Sequence, residues 1–159
     1  MLARDIMTRQ IISTSPATEI QAVADLLTDY RISGVPVVDE EGEMVGLVTE
    51  ADLIGKQGAT AADIMTTRVT TVQENAPVDE VAQILTSKHF KRVPVMRDDR
   101  LVGIVSRADI VRMMASRWAC AICGAIQHGH RPTDCLTCGA DGSYFEREID
   151  PRPEVSQHQ

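Results

Sequence analysis

One stretch of this chain is written twice, and the duplication constrains the fold more than any other feature. Val45-Gly46-Leu47-Val48-Thr49-Glu50-Ala51-Asp52 returns as Val102-Gly103-Ile104-Val105-Ser106-Arg107-Ala108-Asp109. Asp5-Ile6-Met7-Thr8 recurs 58 positions later as Asp63-Ile64-Met65-Thr66, and the same offset carries Val35-Pro36-Val37 onto Val93-Pro94-Val95. One residue is lost in the following turn, so Gly46 maps on Gly103 and Asp52 on Asp109. Two tandem copies of one supersecondary unit therefore cover residues 3 to 115. A unit of about 55 residues buries too little surface to be stable alone, so the copies must pack on one another.

In copy one, Ile11-Ile12 reads as a short strand before the breaker Ser15-Pro16. Thr18 and Gln21 read as a capping box opening an amphipathic helix over residues 19–30. Val35 to Val38 and Met44 to Val48 read as strands around the turn Asp39-Glu40-Glu41-Gly42, and a helix runs from Glu50 to near Gly55. Copy two repeats this order, with strands at Val69–Val72, Val93–Val95 and Leu101–Val105, a helix from Pro77, and a last helix after Ser106. Pro36 and Pro94 place those strands at an edge or a bulge.

The repeated junction has two readings. Thr49 and Ser106 are N-cap hydroxyls with Asp52 and Asp109 three positions on, which is a helix cap. A helix start also presents free N–H groups to a phosphate, and an ionised Asp accepts hydrogen bonds from ribose hydroxyls. Charge separates the copies: residues 3–54 carry three Arg against ten acids, and residues 61–115 carry eight Lys and Arg against seven. Lys91 and Arg92, with Arg97, Arg100 and Arg107 in the same copy, are either a solvated basic face or a phosphate-binding group. On that basis the Ser106/Asp109 junction is expected to be the better phosphate site. Only Tyr30 and Phe90 are aromatic within the repeats, so aliphatic walls rather than ring stacking are expected to hold a base. His89 is the one histidine there and no catalytic set forms around it, so no enzyme activity is expected.

All four cysteines lie between Cys120 and Cys138, outside the repeats. Cys120-x-x-Cys123-Gly124 and Cys135-x-x-Cys138-Gly139 are two knuckles eleven residues apart, the pattern of a tetrahedral four-thiolate site. Such a site takes zinc or iron, and so short a segment needs the metal to fold. Trp118, Tyr144 and Phe145 are the expected core beneath it, with His128 and His130 facing solvent.

The order of elements, the Asp-Ile-Met-Thr opening, the Val-Pro-Val strand and the Gly-x-x-Thr/Ser-x-x-Asp junction together resemble the cystathionine β-synthase (CBS) domain, which occurs in tandem pairs. The resemblance implies an α+β fold of two β-α-β-β-α repeats packed sheet to sheet, at residues 1–58 and 59–116. It also implies an adenine nucleotide (AMP, ADP, ATP or S-adenosylmethionine) as ligand, with Asp52 and Asp109 on ribose and Thr49, Ser106, Lys91 and Arg92 on phosphate. A homodimer through the CBS helices is the implied assembly, alongside a protein partner that the sequence leaves unidentified. Residues 117–149 resemble the rubredoxin-like tail of rubrerythrins and related zinc ribbons. Leu136 stands where that family usually has Pro and the gap between knuckles is one residue shorter, both of which count against electron transfer. Residues 150–159 read as a polar flexible tail.

The leading expectation is thus a non-catalytic regulatory module. The alternatives are an iron electron carrier or redox sensor, and a nucleic-acid-binding ribbon. A net charge of −7 without a basic run disfavours nucleic acid. No run of eighteen apolar residues exists to span a bilayer, and the opening residues lack a signal-peptide core, so a cytoplasmic location is expected.

Overall fold

The structure is a computed structural model that describes residues 1–148; the tail expected at 150–159 lies outside the described residues. The chain divides into two compact units, Met1–Ile110 and Val111–Gln159. No described helix is long and apolar enough to cross a membrane.

The first unit opens with α1 (Ala3–Ile6) and α2 (Ile20–Asp29), followed by β1 (Gly34–Val38), β2 (Met44–Thr49) and α3 (Glu50–Gly55). The second copy supplies α4 (Ala61–Ile64), β3 (Val72–Gln73), α5 (Val78–Ser87), β4 (Arg92–Arg97), β5 (Arg100–Ser106) and α6 (Arg107–Met114), the last crossing the boundary between units. β1 pairs antiparallel with β2, and β4 pairs antiparallel with β5 and parallel with β3. This is the α+β architecture expected of two β-α-β-β-α repeats.

Several local expectations are corrected. Ile11-Ile12 forms no strand; the segment makes a single parallel bridge, Thr14 to Val37. The Thr18/Gln21 capping box is absent, because Thr18 Oγ1 bonds Ser15 instead and α2 starts after Glu19 without a side-chain cap. Strand β3 is only two residues long. β4 is a central strand despite Pro94, and the chain manages this through register: pairing with β3 begins at Val95, one residue after the proline. Both proline strands then shift register, at Val37/Val38 and at Val95/Met96.

The two copies are interlocked. One core gathers Val72, Val81, Leu85, Val93, Val95 and Val105 of copy two around Ala3 and Met7 of copy one. The other gathers Val23, Leu27, Val35, Val37 and Val48 of copy one around Ala61 and Ile64 of copy two. Each Asp-Ile-Met-Thr segment thus completes the sheet of the other copy. Main-chain bonds fix the exchange: Thr8 and Ile104 bond each other in both directions (2.8 and 3.0 Å), as do Leu47 and Thr66 (2.9 and 2.8 Å). Burying a Val or Leu contributes about 1.5–3 kcal/mol, so each core leans on residues borrowed from the other repeat.

The second unit is a three-stranded antiparallel sheet in the order β7-β6-β8, formed by β6 (Arg117–Cys120), β7 (Ile126–His128) and β8 (Phe145–Glu148), with a 3-10 turn at Gly142–Tyr144. Phe145 is its buried centre, packed with Cys120, Cys135 and, partly buried, Trp118. Tyr144, expected in that core, is half exposed.

Candidate functional site

Each strand-to-helix junction is built alike. At the first, Asp52 Oδ2 accepts from Thr49 N (2.9 Å) and Thr49 Oγ1 (3.0 Å), and Thr49 Oγ1 accepts from Asp52 N (3.3 Å). At the second, Asp109 Oδ2 accepts from Ser106 N (2.7 Å) and Ser106 Oγ (2.8 Å), and Ser106 Oγ accepts from Asp109 N (3.3 Å). Both carboxylates are buried. The capping reading of the motif is therefore realised twice.

The surroundings differ. Asp52 Oδ1 accepts from Lys56 Nζ at 2.8 Å and from Thr66 Oγ1 at 3.2 Å. Burial is the largest influence on this carboxyl and pushes its pKa up, but the bonds from Lys56 and Thr49 together hold it below the usual carboxylate range.

A cavity of about 380 Å³ lies between the copies, within the usual size range of small-molecule sites. Its copy-one wall includes Ser33, Gly34 and Thr49; its copy-two wall includes Arg68, Lys91, Arg92 and Pro94. Of the six residues expected to bind nucleotide, Thr49, Lys91 and Arg92 line this cavity, whereas Asp52, Ser106 and Asp109 do not. Lys91 and Arg92 thus face the cavity beside Thr49, while Arg92 is also the register partner of Ser106 on β5 and feels the charge of Asp109. The small pair Ser33-Gly34 and the basic pair Lys91-Arg92, which occupy equivalent places in the two copies, face one cavity.

Arg92 is half-buried, and its Nε is buried without a hydrogen-bond partner. Burial pulls its pKa below the usual arginine value against the opposing pull of Asp109 and Glu50. Lys91 is exposed and lies 3.9 Å from Glu50. Two other cations of copy two are used structurally: Arg97 makes a two-bond pair with Glu74 (2.7 and 2.8 Å), and Arg107 donates to the Phe90 and Leu85 carbonyls. Sequence reasoning missed Arg68, four residues past the end of α4, and it set aside Phe90, which also lines the cavity. The repeat offset held the signal for Arg68: it follows a segment that serves the opposite copy.

In the second unit the four sulfurs lie within 4.8 Å of one another. Cys120–Cys138 and Cys123–Cys135 stand at 3.8 and 3.6 Å. A tetrahedron with bonds of about 2.3 Å has edges of about 3.8 Å, so the residues fit a single metal ion. Each knuckle closes the same way. Gly124 and Gly139 both adopt φ +74°, which a glycine takes without penalty, and each donates its N–H to the carbonyl of the first cysteine at 2.8 Å. Amides of Thr137 and Cys138 bond the Cys135 sulfur and lower its pKa to about 6, the thiolate a metal requires. The amide of Ala140 lowers the pKa of Cys138, but burial and its bonds to Cys123, Cys135 and Cys120 outweigh it and push it up to about 12. His128 and His130 are exposed and stand outside the cluster.

Two interlocked repeats enclosing a cation-lined cavity define a tandem-repeat module built around a cleft. The CBS domain family model matches residues 3–58 and 61–116, and the chain belongs to that family. Residues 120–138 fall outside the matched spans. The L-aspartate semialdehyde sulfurtransferase of Methanocaldococcus jannaschii is 34% identical over 120 residues, 73% of this chain but only 24% of that protein. The CBS domain pair of protein MJ0100, solved with 5′-methylthioadenosine and S-adenosyl-L-methionine, superposes with a TM-score of 0.65 at 35% identity over 70% of this chain and 94% of its own. CBSX2 of Arabidopsis thaliana, solved with AMP, gives 0.66 at 27% identity over 70% and 93%.

Proposed function

We propose that this protein is a non-catalytic regulatory module whose CBS pair binds an adenine nucleotide carrying phosphate. The observation that carries the reading is the gathering of Arg68, Lys91 and Arg92 around one cavity with Thr49 opposite. Three cations facing a single acid, Glu50, favour an anion over the cationic sulfonium of S-adenosylmethionine. AMP on CBSX2 supports the same ligand class. Ser106 and Asp109 form a second candidate site. Calorimetric titration with AMP, ADP, ATP and S-adenosylmethionine tests the reading: binding of the phosphorylated ligands is expected, and no binding of any of the four at millimolar concentration would remove it.

The second unit, in this proposal, holds one metal ion on Cys120, Cys123, Cys135 and Cys138, zinc being the structural choice and iron the redox one. A rubredoxin-like electron carrier is the alternative reading, favoured by the paired Cys-x-x-Cys-Gly knuckles. Metal analysis with a visible spectrum separates the two, since a zinc-only colourless protein excludes the carrier. We also propose a homodimer through the helices of the repeats. Ile54 on α3 is 87% exposed, an apolar side chain left for a partner surface. Light scattering of the protein and of Ile54→Glu checks this, with a shift from dimer to monomer expected.

A further inference from the structure

The two junction carboxylates have the same sequence setting, but the residue four positions further on differs: Lys56 after Asp52, Met113 after Asp109. Asp52 is bonded by four donors of its own chain: Thr49 N, Thr49 Oγ1, Thr66 Oγ1 and Lys56 Nζ. A carboxylate offers about four lone-pair positions, so these donors fill it. Lys56 is held on its other side as well, since its Nζ donates to the Ile64 carbonyl at 3.1 Å, at the end of α4. The lysine therefore bridges the buried Asp52 to the segment that copy two lends to copy one. The offset of 57 that maps Asp52 on Asp109 places Met113 at the position of Lys56, and methionine has no proton to donate. Thr49 and Thr66, which line the cavity, stand as donors on Asp52, and Asp52 itself is not part of the lining.

We propose that Lys56 withholds Asp52 from the ligand, so that this cavity selects an adenine nucleotide by its phosphate and leaves the ribose 2′-hydroxyl unread. A ribose hydroxyl can bond Asp52 only by displacing a charged ammonium at 2.8 Å or a threonine hydroxyl already in place. The phosphate meets weaker competition, because Arg68, Lys91 and Arg92 face the cavity directly and Lys91 has only the exposed Glu50 at 3.9 Å. Lys56 thereby becomes the residue that sets sugar specificity, without itself touching the ligand. The inference rests on the nucleotide reading of the cavity.

The test is calorimetric titration of the full chain with AMP and with 2′-deoxy-AMP, carried out in an Asp109→Asn background so that any ribose preference belongs to this cavity. The expected result is binding of the two nucleotides within about twofold of each other. Lys56→Met, which installs the residue of copy two, frees one acceptor position on Asp52 Oδ1, and a hydrogen bond to that charged acceptor should bring a preference for AMP of about tenfold or more. Lys56→Gln serves as a second variant, and thermal melting confirms that each is folded. A tenfold preference for AMP with Lys56 intact overturns the inference, whether or not the variants fold. Folded Lys56→Met and Lys56→Gln proteins that both bind without a ribose preference overturn it too. Failure of every protein to bind either nucleotide removes the nucleotide reading itself and this inference with it.

Discussion

Met65 of the second repeat lies over Gly46 of the first, where an added Cβ would stand 2.7 Å from the methionine Sδ, 2.9 Å from its Cγ and 3.0 Å from the Thr66 carbonyl oxygen. Met7 stands over Gly103 in the reciprocal place. The glycines that open the duplicated stretch are thus seats for the exchanged segments. Gly46→Ala and Gly103→Ala should each destabilise the first unit by about 1–3 kcal/mol, the usual range for overpacking, seen as a lowered midpoint in urea. An unchanged midpoint in both would mean that the methionines move aside freely.

Asp52 gives the first unit an acid-sensitive anchor. Its pKa is held below the usual carboxylate range, so the ionised form stabilises the fold. That contribution is fully present above the unfolded value of about 3.9 and is lost as pH falls through the lower folded value. Urea midpoints of the wild type and Asp52→Asn should therefore differ at pH 7 and converge as pH falls below about 4. A gap that stays constant down to pH 3 would contradict the assignment.

The cations of the cavity should govern affinity. Arg92→Leu removes a half-buried guanidinium whose Nε is unpaired, and the loss of a charged hydrogen bond, about 1.5–3 kcal/mol, corresponds to roughly 10–150-fold weaker nucleotide binding. Arg97→Leu, which breaks only the pair with Glu74, should leave binding unchanged. Calorimetry on the two variants separates a ligand-binding cation from a structural one.

Trp118 is the only tryptophan in the chain, and its Nε1 donates to the Gly129 carbonyl at 2.9 Å with Arg131 over the ring. Its fluorescence therefore reports on the cysteine unit. Chelation of the metal, or Cys135→Ala, should shift the emission to the red as the unit unfolds, and restoring the ion should reverse the first but not the second. An emission spectrum indifferent to chelator would argue that Phe145 and its neighbours suffice without metal.

What the sequence disclosed depended on whether the signal was local. Period and turn residues located α2, α5 and the paired strands to within a few residues, and the spacing of the cysteines brought four sulfurs together. The Thr18/Gln21 box failed because Ser15 offered Thr18 a nearer partner within its own turn. That Lys91 and Arg92 face Thr49 as well as Ser106 was hidden for a physical reason: two copies of one motif look the same whether each closes on itself or on its twin. Only the long-range bonds of Thr8 to Ile104 and of Leu47 to Thr66 decide between those arrangements, and nothing in a residue's neighbours along the chain encodes them.

The exchange of segments also orders events in time. Met7 finds its seat only when β5 has been made, nearly a hundred residues later, whereas Ala61 and Ile64 meet a sheet that already exists. At about 5–20 residues per second of synthesis, the opening segment waits several seconds with its apolar face uncovered. Copy one can close during translation, but copy two must reach back for residues made first, and contacts of such sequence separation form slowly. The half of the molecule that supplies the cations is therefore the last to be assembled, so a nascent chain has no ligand cavity until its second repeat is complete.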